Sequence, residues 1–404
     1  MKLTCLLRAS IFAGFLTFSL LPAAVHAANV TVGCPGGSGG TFTSINAALA
    51  AIGQTGPSSI TVTGTCQENV SLNNARSITI AAPTPGGAAI IGPLDMDTID
   101  ISLSQDINLV NLDISGTFSN TGNGGGGGVV ISEASDVHIA SCTIHDNQAV
   151  GVDADTGSIL FMSDTTIFNN TPNDGLDLYD NSTADVIRTT IKNNGSPGPL
   201  GGSGVFLTGS SMIVFRQTNL IQNNADNGIA AVNMSQVRFQ SGVSGRFTTI
   251  QGHNVNGIIV RKQSHVQMNG ASPHLIQRNG IGPACPVDPK CGGIVADANS
   301  TVHILNGTVT GNQGPGISAQ QGSNVLLEGA TVSNNSGDGV HIQFISIGEI
   351  GSGNNISSNG GASIFCDDDS LAIGNLTGFS RVACADVDQL NGAEHGERDR
   401  DRHR

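Results

Sequence analysis

Asp153 and Asp177 each lie two residues after a glycine, Gly151 and Gly175, and Asp155 and Tyr179 lie four after the same two glycines. If the two segments are neighbouring strands, these four side chains share one face, with Glu133 and Asp180 at its margin. Side chains one strand apart lie about 5 Å from each other, and those two residues apart on a strand about 7 Å. Carboxylates that close raise one another's pKa or hold a cation. Oxygen-only ligation by Asp153, Asp155 and Asp177 suits calcium. A pair of carboxylates at such separations also suits glycoside hydrolysis, which makes Asp153 and Asp177 the candidate acid and base. Tyr179, Asp155 and Asp180 are then the candidates for holding a sugar. The plainer reading is a solvated acidic stripe on an acidic chain.

The face exists only if a repeat builds it. A glycine is followed seven residues later by a serine in nine units, from Gly128/Ser135 and Gly151/Ser158 through Gly339/Ser346, and a tenth unit has Ser363/Ser370. The shortest spacing between units is 23 residues, which is the period of a solenoid. Positions one and three after each glycine are apolar, as in Val152/Ala154, Leu176/Leu178 and Ile258/Val260. That period-two alternation marks a strand with one buried face. A second alternating stretch follows each serine, and a third short one begins with an outward threonine, as at Thr143, Thr166, Thr190, Thr308 and Thr331. The third ends in Asn147, Asn170, Asn194, Asn223, Asn312 or Asn335, which predicts a hydrogen-bonded asparagine ladder at a bend. Each glycine is expected where the chain turns into the first strand, with a positive φ.

Three short strands in a coil of this size resemble the right-handed parallel β-helix of the pectate-lyase-like superfamily, over most of the mature chain. Gly40-Thr41-Phe42-Thr43-Ser44-Ile45 is similar to the entry of its N-terminal capping helix. The resemblance implies an all-β fold, a single-stranded right-handed parallel β-helix with a short N-terminal capping helix. It also implies polysaccharide as the substrate class. The catalytic motifs of polygalacturonases are matched only in fragments: Asp174-Gly175-Leu176-Asp177, Gly252-His253-Asn254 and Arg261-Lys262, at the wrong separations. The arginine that pectate lyases place beside an acidic calcium site has no counterpart close to Asp177. Arg261 lies three coils away and is expected to pair with Asp297, as Arg188 is with Asp164.

Lys2 and Arg8, an apolar run from Ile11 to Leu21 and Val25-His26-Ala27 read as a secretory signal peptide, residues 1–27. Residues 28–391 form the β-helix: 28–57 the N-terminal strand and capping helix, 58–127 first, less regular coils, 128–391 regular coils and a C-terminal cap. The helix is expected over Ser44–Ile52, with Gly53 as its stop. Residues 392–404 alternate acid and arginine and read as a disordered tail. Export permits disulfides, and Cys34/Cys66, Cys285/Cys291 and Cys366/Cys384 are placed to form them. Cys142 falls in the inward slot of Thr165, Thr189, Thr218, Gly307 and Ala330 and is expected to be a buried thiol.

A formal net charge of −14 argues against nucleic acid and anionic surfaces as partners. No later segment reads as a membrane span. There is no tryptophan and a single tyrosine, which disfavours a deep sugar-stacking cleft. The expected role is a secreted, periplasmic or cell-surface β-helix that binds or is displayed on polysaccharide or a cell-surface glycan without a complete catalytic site. The alternative is a polysaccharide lyase or glycoside hydrolase using the acidic cluster, with calcium as its possible cofactor.

Overall fold

The computed structural model describes residues 27–116, 126–196, 201–242, 244–283, 285 and 291–384. The expected leader, apart from Ala27, and the charged tail lie outside the described residues. So do several loop segments.

The chain begins with a strand, Asn29–Gly33, and a helix, Ile45–Ile52. Ser44 caps the helix by accepting from the Ala47 N–H, and Gly53, at φ 76°, closes it by donating to the Leu49 carbonyl. Glu68 adds a cap that the local pattern does not show. Its carboxylate takes the Ile45 and Asn46 N–H groups at 2.8 and 3.1 Å and the Ser44 hydroxyl at 2.8 Å. A carboxylate on the first turn satisfies free N–H groups and complements the helix dipole. Ile45, Ala48 and Leu49 face inward, so the helix closes the end of the apolar interior.

Everything after the helix is coil upon coil of short parallel strands. One sheet of 13 strands carries the residues that follow each glycine. The other 25 strands form two faces, joined at the strand Ser58–Gln67, whose first half pairs with Arg76–Ala81 and whose second half pairs with Ala88–Ile91. Equivalent residues stack in register: Val70, Ile99, Val129, Val152, Leu176, Val205, Ile229, Ile258, Ile294, Ile317, Val340 and Ile364 form one buried column. The column runs unbroken into the first coils, where spacing alone looks irregular. Among the described residues, no helix is long and apolar enough to cross a membrane.

Three polar ladders line the bends. The serine ladder begins before the repeat is visible, at Ser104, whose N–H donates to Ser135 Oγ; Ser135 in turn donates to Ser158, and Ser158 to Ser182. It resumes from Ser235 to Ser370. The asparagine ladder is Asn147, Asn170, Asn194, Asn224, His253, Asn279, Asn312, Asn335 and Asn359. Asn223 is therefore one residue off: it turns outward at φ 54°, and Asn224 keeps the constant three-residue offset from the column isoleucine, here Ile221. A third ladder fills the other bend, with Asn219, not Thr218, above Thr189. The outward threonines stack as expected, Thr143 on Thr166 on Thr190.

The repeat glycines have a different cause from the expected positive φ. A Cβ on Gly151 would meet Ile167 Cγ2 at 2.5 Å, the Gly175 carbonyl oxygen at 2.6 Å and Asn170 Nδ2 at 2.7 Å. Gly128, Gly175, Gly204 and Gly316 are crowded by the same three kinds of neighbour, and none has a left-handed φ. Close approach of the strand to the asparagine ladder excludes every other side chain.

The three expected disulfides are present, Cys34–Cys66, Cys285–Cys291 and Cys366–Cys384. Such bonds fit an oxidising compartment. Cys142 is the free thiol, buried beneath Thr165, and burial pushes its pKa up to about 11. A thiol reagent such as Ellman's is expected to leave the native protein unlabelled at pH 8 and to count one thiol per chain in denaturant. Fast native labelling would mean that the coil around Cys142 opens.

Candidate functional site

The outward face of the 13-stranded sheet carries the acids. Its strands Val129–Ser132, Val152–Ala154, Leu176–Leu178 and Val205–Leu207 place Val130, Asp153, Asp177 and Phe206 in one outward column. Asp153 and Asp177 stand directly opposite each other on adjacent strands, about 4.8 Å apart in backbone spacing. Asp100 lies two strands before Asp153 in the same column.

Asp177 is the most enclosed of these acids, at 5% exposure. Its Oδ2 accepts from the Tyr179 hydroxyl at 3.3 Å, and its Oδ1 has no partner. Tyr179 packs against Phe206 with ring centres 5.9 Å apart. Asp153 Oδ1 is also buried without a partner. Asp174, on the turn before Gly175, accepts from the Ser203 N–H and approaches Asp177 from the side.

These surroundings hold protons. Burial, then the charges of Asp155 and Asp97, push Asp153 up to about 7. Burial raises Asp174 to about 6 against the opposing Ser203 hydrogen bond. Asp177 is held well above the carboxylate range by burial and then by Asp174 and Asp153. Tyr179 is raised by burial and by Asp177, so its hydroxyl stays a donor at any physiological pH. Near neutrality the site presents two proton donors, Asp177 and Tyr179, beside a carboxyl, Asp153, that gains and loses its proton in that range.

The structure does not gather all the expected residues. Asp155 Oδ1 turns to the Thr156 N–H at 2.5 Å, away from the column. Asp180 is exposed on the turn, at φ 44°. Among the described residues, the one set of three potential ligand atoms within 4.8 Å of one another is Cys34, Cys66 and Glu68, where both sulfurs are in a disulfide. Asp153, Asp155 and Asp177 do not converge as a calcium site would require. The site instead adds Asp174 and Phe206. The phase of the repeat puts Phe206 in the Asp177 column, whereas Asp174 sits on a turn where the strand alternation gives no direction.

The remaining echoes are structural. Arg261 pairs with Asp297 at 3.4 Å, and Arg188 grips Asp164 with two bonds of 2.6 Å. His253 is buried in the asparagine ladder, its Nδ1 accepting from the Asn224 N–H at 3.1 Å and its Nε2 donating to the Ile221 carbonyl at 3.2 Å. It faces no solvent and takes no part in surface chemistry.

Residues 98–243 match the family model described as a right handed beta helix region. The mannuronan C-5 epimerase AlgE6 A-module of Azotobacter vinelandii superposes with a TM-score of 0.55 at 15% identity, over 82% of this chain and 94% of that one. The AlgE4 A-module of the same organism gives 0.53 at 14%, over 82% and 95%. The enzymatically active domain of bacteriophage CBA120 tailspike protein 2 gives 0.52 at 16%, over 77% of this chain and 48% of that one. No curated protein matches the chain significantly.

Proposed function

Because the chain is a right-handed parallel β-helix of the pectate-lyase-like fold, we propose that it is a secreted protein that binds polysaccharide along the outer face of its 13-stranded sheet. The observation that carries this reading is the placement of the only tyrosine. Tyr179 lies on Phe206 and is hydrogen-bonded to the buried Asp177, which stands opposite Asp153. A sugar ring packs on the two aromatics while its hydroxyls reach the partnerless Oδ1 atoms of Asp153 and Asp177. Two of the structural neighbours are named for mannuronan, which supports a polysaccharide as the ligand class.

The protonation pattern favours a second reading, proton transfer on that polysaccharide as a lyase or hydrolase. A carboxyl titrating near 7 beside a protonated acid and a tyrosine is a usable acid–base set. The test is a glycan array with the mature protein and its Tyr179→Ala variant, followed by assays of the bound glycans for unsaturated ends and new reducing ends. Binding that falls about tenfold in the variant, the value of one aromatic contact, supports the site. Equal binding by both proteins sinks it, and product formation selects the enzymatic reading.

The same acids make a stability prediction. An acid whose folded pKa is raised favours the folded state below its unfolded pKa, near 3.8, and that contribution is lost as pH rises through the folded value. Asp177→Asn is therefore expected to raise the melting temperature at pH 8, to leave it unchanged at pH 3.5 and to weaken glycan binding. A variant less stable than wild type at pH 8 would show that Asp177 serves packing alone.

A further inference from the structure

We propose that Arg238, His265, Gln267 and His303 form an anion site, on a different face of the coil, that takes a carboxylate or sulfate group of an acidic ligand. The four lie on adjacent strands of the face that follows the serines, Gln236–Ser241, His265–Gly270 and Thr301–Leu305. Arg238, Gln267 and His303 stack in one outward column, and His265 sits two residues before Gln267. Neighbouring strands are about 4.8 Å apart, so one small anion spans the gap between two of them.

The cluster is built against the chain's own charge. Arg188, Arg216 and Arg261 each meet an acid, Asp164, Asp185 and Asp297. Arg238 does not: the residue before it in the column is Val214, and its Nη2 donates only to Gln236, at 3.0 Å. Its Nε is buried with no hydrogen-bond partner. A buried guanidinium N–H left unpaired is costly unless a ligand completes it. His265 feels the two other members as like charges: burial first, then His303 and Arg238, hold it below the usual imidazole range. The other charged side chains on these strands and the ones flanking them are Arg216, already paired, and Glu328, on the strand beyond His303 in line with Leu305. Nothing on these strands neutralises the three nitrogen bases, and a chain of net charge −14 does not collect cations on one face for solubility.

An anion seated here pairs with Arg238 Nε, accepts from Gln267 and favours the protonated rings of His265 and His303. The site is distinct from the Asp153–Asp177 face, so it stands if the glycan reading of that face fails. The experiment follows the ring resonances of His265 and His303 by NMR at pH 6, with wild type, R238Q and H303Q, while inorganic sulfate, a galacturonate oligomer or a neutral oligosaccharide is added. Melting temperatures of the three proteins show that the variants are folded. Saturable shifts of both rings with sulfate or the oligomer, at least tenfold weaker in R238Q, together with a raised His265 pKa in the bound state, establish the site. Tighter binding of the oligomer than of sulfate assigns it to a polymer, and the reverse to a free anion. Shifts that do not saturate, that the neutral sugar reproduces, or that R238Q leaves unchanged overturn the proposal.

Discussion

Gly151→Ala is expected to lower the unfolding free energy by about 3 kcal/mol, the upper end of what overpacking costs. The added methyl would sit within 2.8 Å of an isoleucine branch, an asparagine amide and a backbone carbonyl from the next coil. The first of these can rotate, but the other two are fixed by the ladder and the strand pairing. Relief requires the first strand to move away from its bend, which breaks register with the coils on both sides. Gly39→Ala is the control, since a methyl there meets nothing within 4 Å and needs no unusual φ. Urea unfolding of the two variants measures the contrast. Equal midpoints would mean that the glycine column is not set by close approach.

The second large effect is on acid stability, through His253. Burial holds this ring down to about 3, so it stays neutral when folded. The sign follows from linkage. Between about pH 6.5 and 3 the unfolded chain binds a proton that the folded chain refuses, so stability falls as pH falls through that window. The slope from one such group is about 1.4 kcal/mol per pH unit. Asp153, Asp174 and Asp177 act in the opposite sense, since their folded values are raised. Wild type minus variant isolates the histidine. His253→Asn restores the side chain that its ladder neighbours Asn224 and Asn279 carry. It is expected to gain stability progressively below pH 6 and to match wild type within about 1 kcal/mol at pH 7.5. Parallel stability curves for the two proteins between pH 4 and 7 would show that the ring is protonated in place.

Much of this was legible in the chain because the repeat assigns every residue a phase. The seven-residue offset places Asp153 opposite Asp177, Arg261 beside Asp297 and Cys142 in an inward slot, and the structure agrees on each. Phase predicts which way a strand residue points but not what a turn residue does. Asp174 and Glu68 lie on turns, and their roles depend on N–H groups brought from other coils. Asn223 and Asn224 differ by one position after a short strand, and only the bend itself selects between them. The glycines show the same limit. Their recurrence was plain, yet the reason for it, a neighbour's amide and methyl, lies one coil away in space.

The serine and asparagine ladders have a consequence for assembly. Coils built alike can pair one step out of place almost as well as correctly, which is the standing hazard of repetitive chains. Here the ladders are not uniform. Between Val205 and Gly282 they carry His253, Asn219 and His274 where other coils have asparagine or threonine, and Phe215 stacks on Phe239, which meets His274. Each odd member fits only its own neighbours, so a slipped pairing would leave a buried ring or amide unmatched. These central coils work as an index mark, from which the more uniform coils on either side are counted off.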